Sequence, residues 1–434
     1  MPRDRRGGFT NWSRTVTSAP RVWHEPGDAD AIADVVRSAA TAGGRVRVVG
    51  AGHSFSAIAA PEDTAMSLDR WSGVTATGDG TVTVRAGTRL CDLNAELARR
   101  GLALPILGSI AQQSVAGAVG TGTHGSSLVH GNLSSLIEGA RLVTGAGTVL
   151  DLATGDPRLD AVRVHLGALG VVTELTLRVV PAFRLAETIE EVPVAAVASR
   201  LGSIGASAEF VKVWWLPHTP TALVIRHDRT DEPASRRPSP RFQRRVDDRI
   251  VHRLVLPAVF AVNNRRPGSV PPVNRVAVRT LVRPRRVGPS DLMLSTPYPA
   301  RHDETEAAVG IDTAGEAFDR VVRLIHAEGV SVNFIVELRY VRGDAGWMSP
   351  AYGGDVVQLG AYTAVRPHRD RYFDAFWRAM RPLGARPHWG KRLDHDAAEI
   401  RALYPMAGHF AALRDELDPR RVFTNAFLDR VLGP

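Results

Sequence analysis

The sequence predicts a two-domain α+β protein, and three observations carry that reading. Two separate loops of small residues, at 49–54 and 108–127, lie among short strands and helices in the first 181 residues. Pro181 ends the last strand of that region. Beyond it, apolar strands alternate with amphipathic helices, the pattern of a sheet covered on one side. A length of 434 residues agrees with two or three domains.

Bulk properties exclude several classes. The chain is 44% apolar and 23% charged, as globular chains are. No stretch is long and apolar enough to span a bilayer. The opening MPRDRRGGFTNWSRT has no apolar core behind its arginines, so no signal peptide is expected. Cys91 is the single cysteine, which excludes an internal disulfide, and a cytoplasmic location is expected. The net charge is +9, yet all but two of the 54 basic residues are arginine. That skew reads as coding bias, and no nucleic-acid motif accompanies it. No nucleic-acid partner is expected. The two exceptions are Lys212 and Lys391.

The elements follow in order. Ile32, Val35, Val36, Ala39 and Ala40 fall at helical spacing and Gly43-Gly44 stops that helix. Arg45–Val49 is a strand. Thr81–Arg85 alternates as a strand, and Leu90, Leu93 and Leu97 mark a helix ended by Gly101. Residues 108–127 are too rich in glycine for a packed core element. Arg141–Val143, Thr148–Leu150 and Val171–Val179 read as strands. Glu209–Leu216 and Ala222–Arg226 form a hairpin through PHTPT. Residues 232–290, rich in Arg and Pro, read as a solvated insertion. Its apolar run Ile250–Phe260 is interrupted by Pro257, so no membrane contact is expected. Ala314–Glu328 is an amphipathic helix. In VSVNFIVELRY a strand over 330–340 places Glu337 and Arg339 on the polar face, opposite Val336, Leu338 and Tyr340. A strand over Val356–Thr363 and a helix carrying Tyr372, Phe373, Phe376, Trp377 and Met380 complete the pattern.

The chemistry-bearing stretches are the two loops. Gly50-Ala51-Gly52 does not open a helix as Gly-x-Gly-x-x-Gly does, and it is not a phosphate loop of the Gly-Lys-Ser kind. A Rossmann dinucleotide site and a nucleotide triphosphatase are therefore disfavoured. Two small-residue loops in one domain suit a long ligand with two faces, as a dinucleotide has. Taken alone, Glu337 and Arg339 read as a solvated sheet face with a weak ion pair.

The stretches VVGAGHSFSAIA, GSIAQQSVAGAVGTGTHGSS, FIVELR, RPHWGK and DPRRVFTNAFLDRVLG, in this order along nearly the whole chain, resemble those of the aldonolactone and alditol oxidases. These are flavoproteins of the vanillyl-alcohol-oxidase type. The resemblance implies an FAD-binding domain over 1–181, a substrate cap domain with an antiparallel sheet over 182–380, and a segment 381–434 returning to the FAD site. It implies FAD contacts from Val49, Gly50, Ala51, Gly52, His53 and Ser54, with the flavin bonded covalently to His53. Gly108, Ser109, Ser114, Gly117, Thr121, Thr123 and His124 would wrap the isoalloxazine and ribityl chain. Val172 would meet the adenine or ribose end.

The same resemblance makes Glu337, Arg339, Lys391 and Ser109 the catalytic set, with His388 as support. The implied reaction oxidises a CH–OH group of a polyol, sugar or aldonolactone, with hydride going to flavin N5 and oxygen as the expected acceptor. A cation such as Lys391 near the reacting oxygen or the flavin lowers that barrier electrostatically. Gly108 leaves room for dioxygen, although some relatives pass electrons to another acceptor. The alternatives are a dehydrogenase, an oxidase of the same fold acting on a glycoside or aminocyclitol, and a basic binding protein without catalysis.

Overall fold

A computed structural model describes residues 7–236, 239–295 and 300–434. The start of the chain read above for a signal peptide, Met1–Arg6, and Arg237 of the Arg/Pro-rich segment lie outside the described residues.

After a short antiparallel pair, Phe9–Thr10 with Thr17–Ser18, come a strand, a helix and a strand. Val22–His24 and Val46–Val48 flank Thr64–Met66 in a parallel sheet of three. The helix Ala29–Thr41 joins them, capped by the Asp28 side chain on Ala31 N–H and buried through Ile32, Ala33 and Val36. A second, antiparallel sheet of five runs in the order Val149–Leu152, Ile137–Val143, Val171–Arg178, Thr81–Arg85 and Val74–Gly78. Leu90, Leu93 and Leu97 of the helix Leu90–Arg99 lie in the same core. The loop 108–127 is not wholly irregular. It contains a six-residue helix, Val115–Gly120, whose Val115, Ala118 and Val119 are buried. Small side chains let this short helix sink against the sheet.

From Arg184 onward an antiparallel sheet of eight forms in the order Arg286–Pro289, Arg184–Pro193, Thr221–Thr230, Phe210–Trp215, Val336–Val341, Val356–Thr363, Asp303–Gly310 and Arg386–Pro387. The helices Val194–Gly205, Ile311–Ala327 and Arg369–Met380 share a core with one face of this sheet, through residues such as Leu201, Phe318 and Phe376. Val336, Leu338 and Tyr340 point into that core.

The strand expected over 330–340 begins only at Val336. The stretch before it is tied sideways instead. Asn274 Nδ2 donates to Val332 O at 2.9 Å, and Asn333 Nδ2 donates to Asn263 Oδ1 at 3.2 Å. The Asn274 amide, with the His218 ring accepting from Val332 N–H at 3.2 Å and the His368 ring accepting from Ser331 N–H at 2.9 Å, satisfies this backbone in place of a ladder. Phe334 therefore leaves the core face and stacks on Tyr362, centroids 5.7 Å apart.

The Arg/Pro-rich segment is also more ordered than a solvated insertion. It folds into the abutting helical segments Pro240–Val246, Asp247–Val255 and Leu256–Arg265, followed by the helix Val270–Leu281. Its Phe260 meets Phe334 at 5.8 Å.

The C-terminal segment closes on the first domain. Phe423, Phe427, Leu428 and Val431 join the first core. Phe55 N–H bonds Gly390 O at 2.7 Å, and Val46 N–H bonds Val422 O at 2.7 Å. Ser56 Oγ bonds Trp389 O at 2.8 Å. These bonds carry the loop bearing Lys391 up to the loop bearing His53.

Candidate active site

A cleft with about 880 Å³ of empty space, partly open to solvent, runs between the two small-residue loops. Val49, Gly50, Ala51, Gly52, His53 and Ser54 line one wall, and Ser114, Gly117 and Thr121 the other, with Val172 at one end. Glycine is required by close approach. A Cβ at Gly50 would overlap Ser114 Oγ, and one at Gly120 would stand 2.7 Å from His165 Nε2. Gly52 has φ +70°, a left-handed turn that favours glycine. A backbone-lined cradle that added Cβ atoms would fill fits a long dinucleotide such as FAD.

His53 stands at the end of this cleft, its ring 5.7 Å from that of Trp12. Burial lowers its imidazole to about 4, and the charges of Arg89 and Lys391 push the same way. The ring is neutral at pH 7, the form in which a nitrogen lone pair is available.

The polar face of the large sheet carries the other predicted residues. Glu337 is 3% exposed, so it does not form the solvated ion pair that the strand read alone suggests. Trp214 Nε1 donates to its Oε1 at 2.7 Å, Tyr362 Oη donates to its Oε2 at 2.8 Å, and Arg339 pairs with the same carboxylate. Burial raises the carboxyl, but the charges of Arg339 and Lys212 and these hydrogen bonds outweigh it and hold the group at about 2.

Lys391 lies on the other side of Tyr362. Its ammonium pairs with Glu304 and stands 3.7 Å from Glu306 Oε2. The rings of Phe55 and Tyr362 are 5.3 Å and 5.8 Å from it. Glu306 Oε1 lies 3.0 Å from His124 Nε2, and His124 and His388 have ring centroids 5.4 Å apart. Burial lowers His388 to about 3, and its Nδ1 accepts from Gly390 N–H at 3.0 Å, which leaves its proton on Nε2.

The predicted residues thus divide. Those of the first loop, with Ser114, Gly117, Thr121 and Val172, line the cleft. Thr123 and His124 stand behind its lining residues: Thr123 Oγ1 accepts from Nε2 of Gln113, which lines the cleft, at 3.1 Å, and His124 bonds Glu306. Ser109 and Arg339 border a second hollow of about 310 Å³, with Lys212 and His227. Gly108 leaves less room than a glycine suggests, since a Cβ there would meet Thr123 Cγ2 at 2.7 Å. Glu304, Glu306, Trp214 and Tyr362 escaped the sequence reading. DETEAAVG shows neither strict alternation nor a helical stripe, and an aromatic in a strand looks like core.

A dinucleotide cleft meeting a buried cluster of carboxylates and cations defines an FAD-dependent oxidoreductase of two domains. The D-arabinono-1,4-lactone oxidase family profile matches residues 175–431, and an FAD-binding domain profile matches residues 20–153. The chain belongs to the D-arabinono-1,4-lactone oxidase family, FAD-dependent enzymes that oxidise CH–OH groups of sugar-type substrates.

The chain is 34% identical over 428 residues to the L-gulono-1,4-lactone dehydrogenase of Mycobacterium tuberculosis, covering 98% of this chain and 99% of that one. It is 33% identical over 446 residues to an alditol oxidase of a Streptomyces species, covering 98% of each. Its fold is that of cholesterol oxidase from B. sterolicum, with a TM-score of 0.81 at 18% identity over 98% of this chain and 96% of that one.

Proposed function

We propose that this chain oxidises a secondary or primary alcohol carbon of an aldonolactone or polyol, with FAD bonded covalently to His53. The observation that carries this reading is the convergence of Glu337, Arg339, Tyr362 and Lys391 on one sheet face, joined by main-chain bonds to the loop that bears His53. Bound FAD supplies the hydride acceptor at N5; the protein supplies position and field.

Arg339 and Lys391 bind and polarise the substrate oxygens. Glu337 receives three donors and is held strongly acidic, so it orients hydroxyl groups and is a poor proton acceptor. Ser109 hydrogen-bonds the substrate from the far side of Arg339. The neutral His388 donates from Nε2. Ser114, Gly117 and Thr121 hold the dinucleotide with the first loop, and Thr123 and His124 support the second loop and Glu306.

Dioxygen is the acceptor in this proposal. A second reading, transfer to another oxidant, is favoured by the Thr123 methyl that fills the space beside Gly108. Anaerobic bleaching of the protein's flavin absorbance with a panel of aldonolactones, polyols, glycosides and aminocyclitols tests the substrate class. Reoxidation in air, timed against a quinone, separates the acceptors. No bleaching by any lactone or polyol would overturn the proposal.

A further inference from the structure

We propose that the helical arm over residues 239–282 docks the protein on an anionic lipid surface. Two independent observations meet on this arm. Seven of the ten large hydrophobic side chains left exposed among the described residues belong to it. Leu254, Val276 and Phe242 are 65%, 64% and 63% exposed, far beyond the burial such residues take on a well-packed helix. The arm also holds nine arginines against two aspartates, a net +7 within a chain whose total is +9.

The two features are ordered relative to each other. Arg241, Arg245, Arg249 and Arg253 recur every fourth residue. One step along the chain, Phe242, Val246, Ile250, Leu254, Ala258 and Val262 do the same. A period of four drifts round an α-helix of 3.6 residues per turn. Asp247–Val255 is π-helical, with more residues per turn, and this offsets the drift. The result is a cationic row beside an apolar row. Pro257 does not break the pattern, because it stands in the first turn of Leu256–Arg265. An apolar stripe needs no unbroken run, which is why the sequence read linearly pointed away from a membrane.

The opposite side of the arm is engaged. Along the first half, Arg244 Nη1 donates to Ser295 Oγ at 2.9 Å, Asp247 Oδ2 accepts from Arg283 Nη1 at 2.9 Å and His252 Nδ1 accepts from Ala300 N–H at 3.3 Å. Along the second, Phe260, Asn263, Val270 and Asn274 are buried, and Asn274 Nδ2 donates to Pro217 O at 2.8 Å. The outer stripe therefore faces away from the body of the protein. A second copy of the chain would bring +7 against +7. A nucleic acid would reward the arginines but not Phe242 or Leu254. Anionic headgroups over an acyl layer reward both.

The full-length protein is spun with vesicles of phosphatidylcholine, with and without phosphatidylglycerol, at low and high salt. Binding is expected on the anionic vesicles, with a residue of it surviving high salt. Ile250→Asp with Leu254→Asp should weaken partitioning roughly tenfold or more while flavin absorbance and turnover stay unchanged. Arg245→Gln with Arg249→Gln should weaken it in a salt-dependent way. Failure of the native protein to bind anionic vesicles at low salt would overturn the proposal. So would equal binding by the double aspartate variant together with unchanged retention on heparin, which would make the arm a general polyanion site.

Discussion

Lys391 Nζ lies 3.7 Å from Glu306 Oε2, and the other oxygen of that carboxylate lies 3.0 Å from His124 Nε2. With Glu304 behind it, the ammonium is held in one place and keeps a donor for a substrate oxygen. A compact charge with rotatable donors suits an oxygen that moves during reaction. Lys391→Met should leave flavin bound and slow its reduction by about a hundredfold or more, the usual loss for one preorganised electrostatic group. Lys391→Arg should recover part of the rate. Stopped-flow bleaching at saturating substrate measures both, and a native rate in Lys391→Met would remove the residue from the catalytic set.

Tyr362 gives Glu337 one of its three hydrogen bonds. Tyr362→Phe removes it from a buried carboxylate, where a bond to a charged group contributes about 1.5–3 kcal/mol. The expected result is a fall in kcat/KM of roughly tenfold or more, with flavin content unchanged and the melting temperature lowered by a few degrees. If kcat/KM is unaltered, Tyr362 only packs against Phe334.

His53 decides the mode of cofactor attachment. Acid-precipitated native protein should keep its flavin in the pellet, and His53→Ala protein should release it. Free FAD in the native supernatant refutes attachment at His53 and leaves the cleft intact as a binding site.

Two histidines at the site predict an acid limit. Burial lowers His165 to about 4 and His388 to about 3. Below the unfolded value of about 6.5, the unfolded chain takes up protons that the folded chain refuses. Stability present at neutral pH is therefore lost as pH falls from about 6.5 toward 4, at about 1.4 kcal/mol per pH unit for each such group. Melting temperatures across that interval should fall steeply. His165→Asn should flatten the slope, and an unchanged slope would show that His165 is protonated in the folded protein.

Much of the fold was legible because its signals are local. The strands Thr81–Arg85 and Val356–Thr363 and the helix marked by Leu90, Leu93 and Leu97 declare themselves by period alone. So do the two loops, since backbone that must approach a ligand excludes side chains. Alternation along 336–340 put Glu337 and Arg339 on one face without any knowledge of what lay opposite.

Tertiary structure decided the rest, because it concerns residues far apart in sequence. Val330–Ile335 reads as strand by alternation, yet Asn263 and Asn274 draw it away from the ladder. DETEAAVG carries no pattern that assigns it, and the pairing of Asp303–Gly310 with Val356–Thr363 buries Glu304 and Glu306 beside Lys391. The ion pair of Glu337 and Arg339 reads as solvated until Trp214 and Tyr362 close over it. Periodicity records which face a side chain takes; only the packed chain decides what that face meets, since burial and partners come from segments the local pattern cannot see.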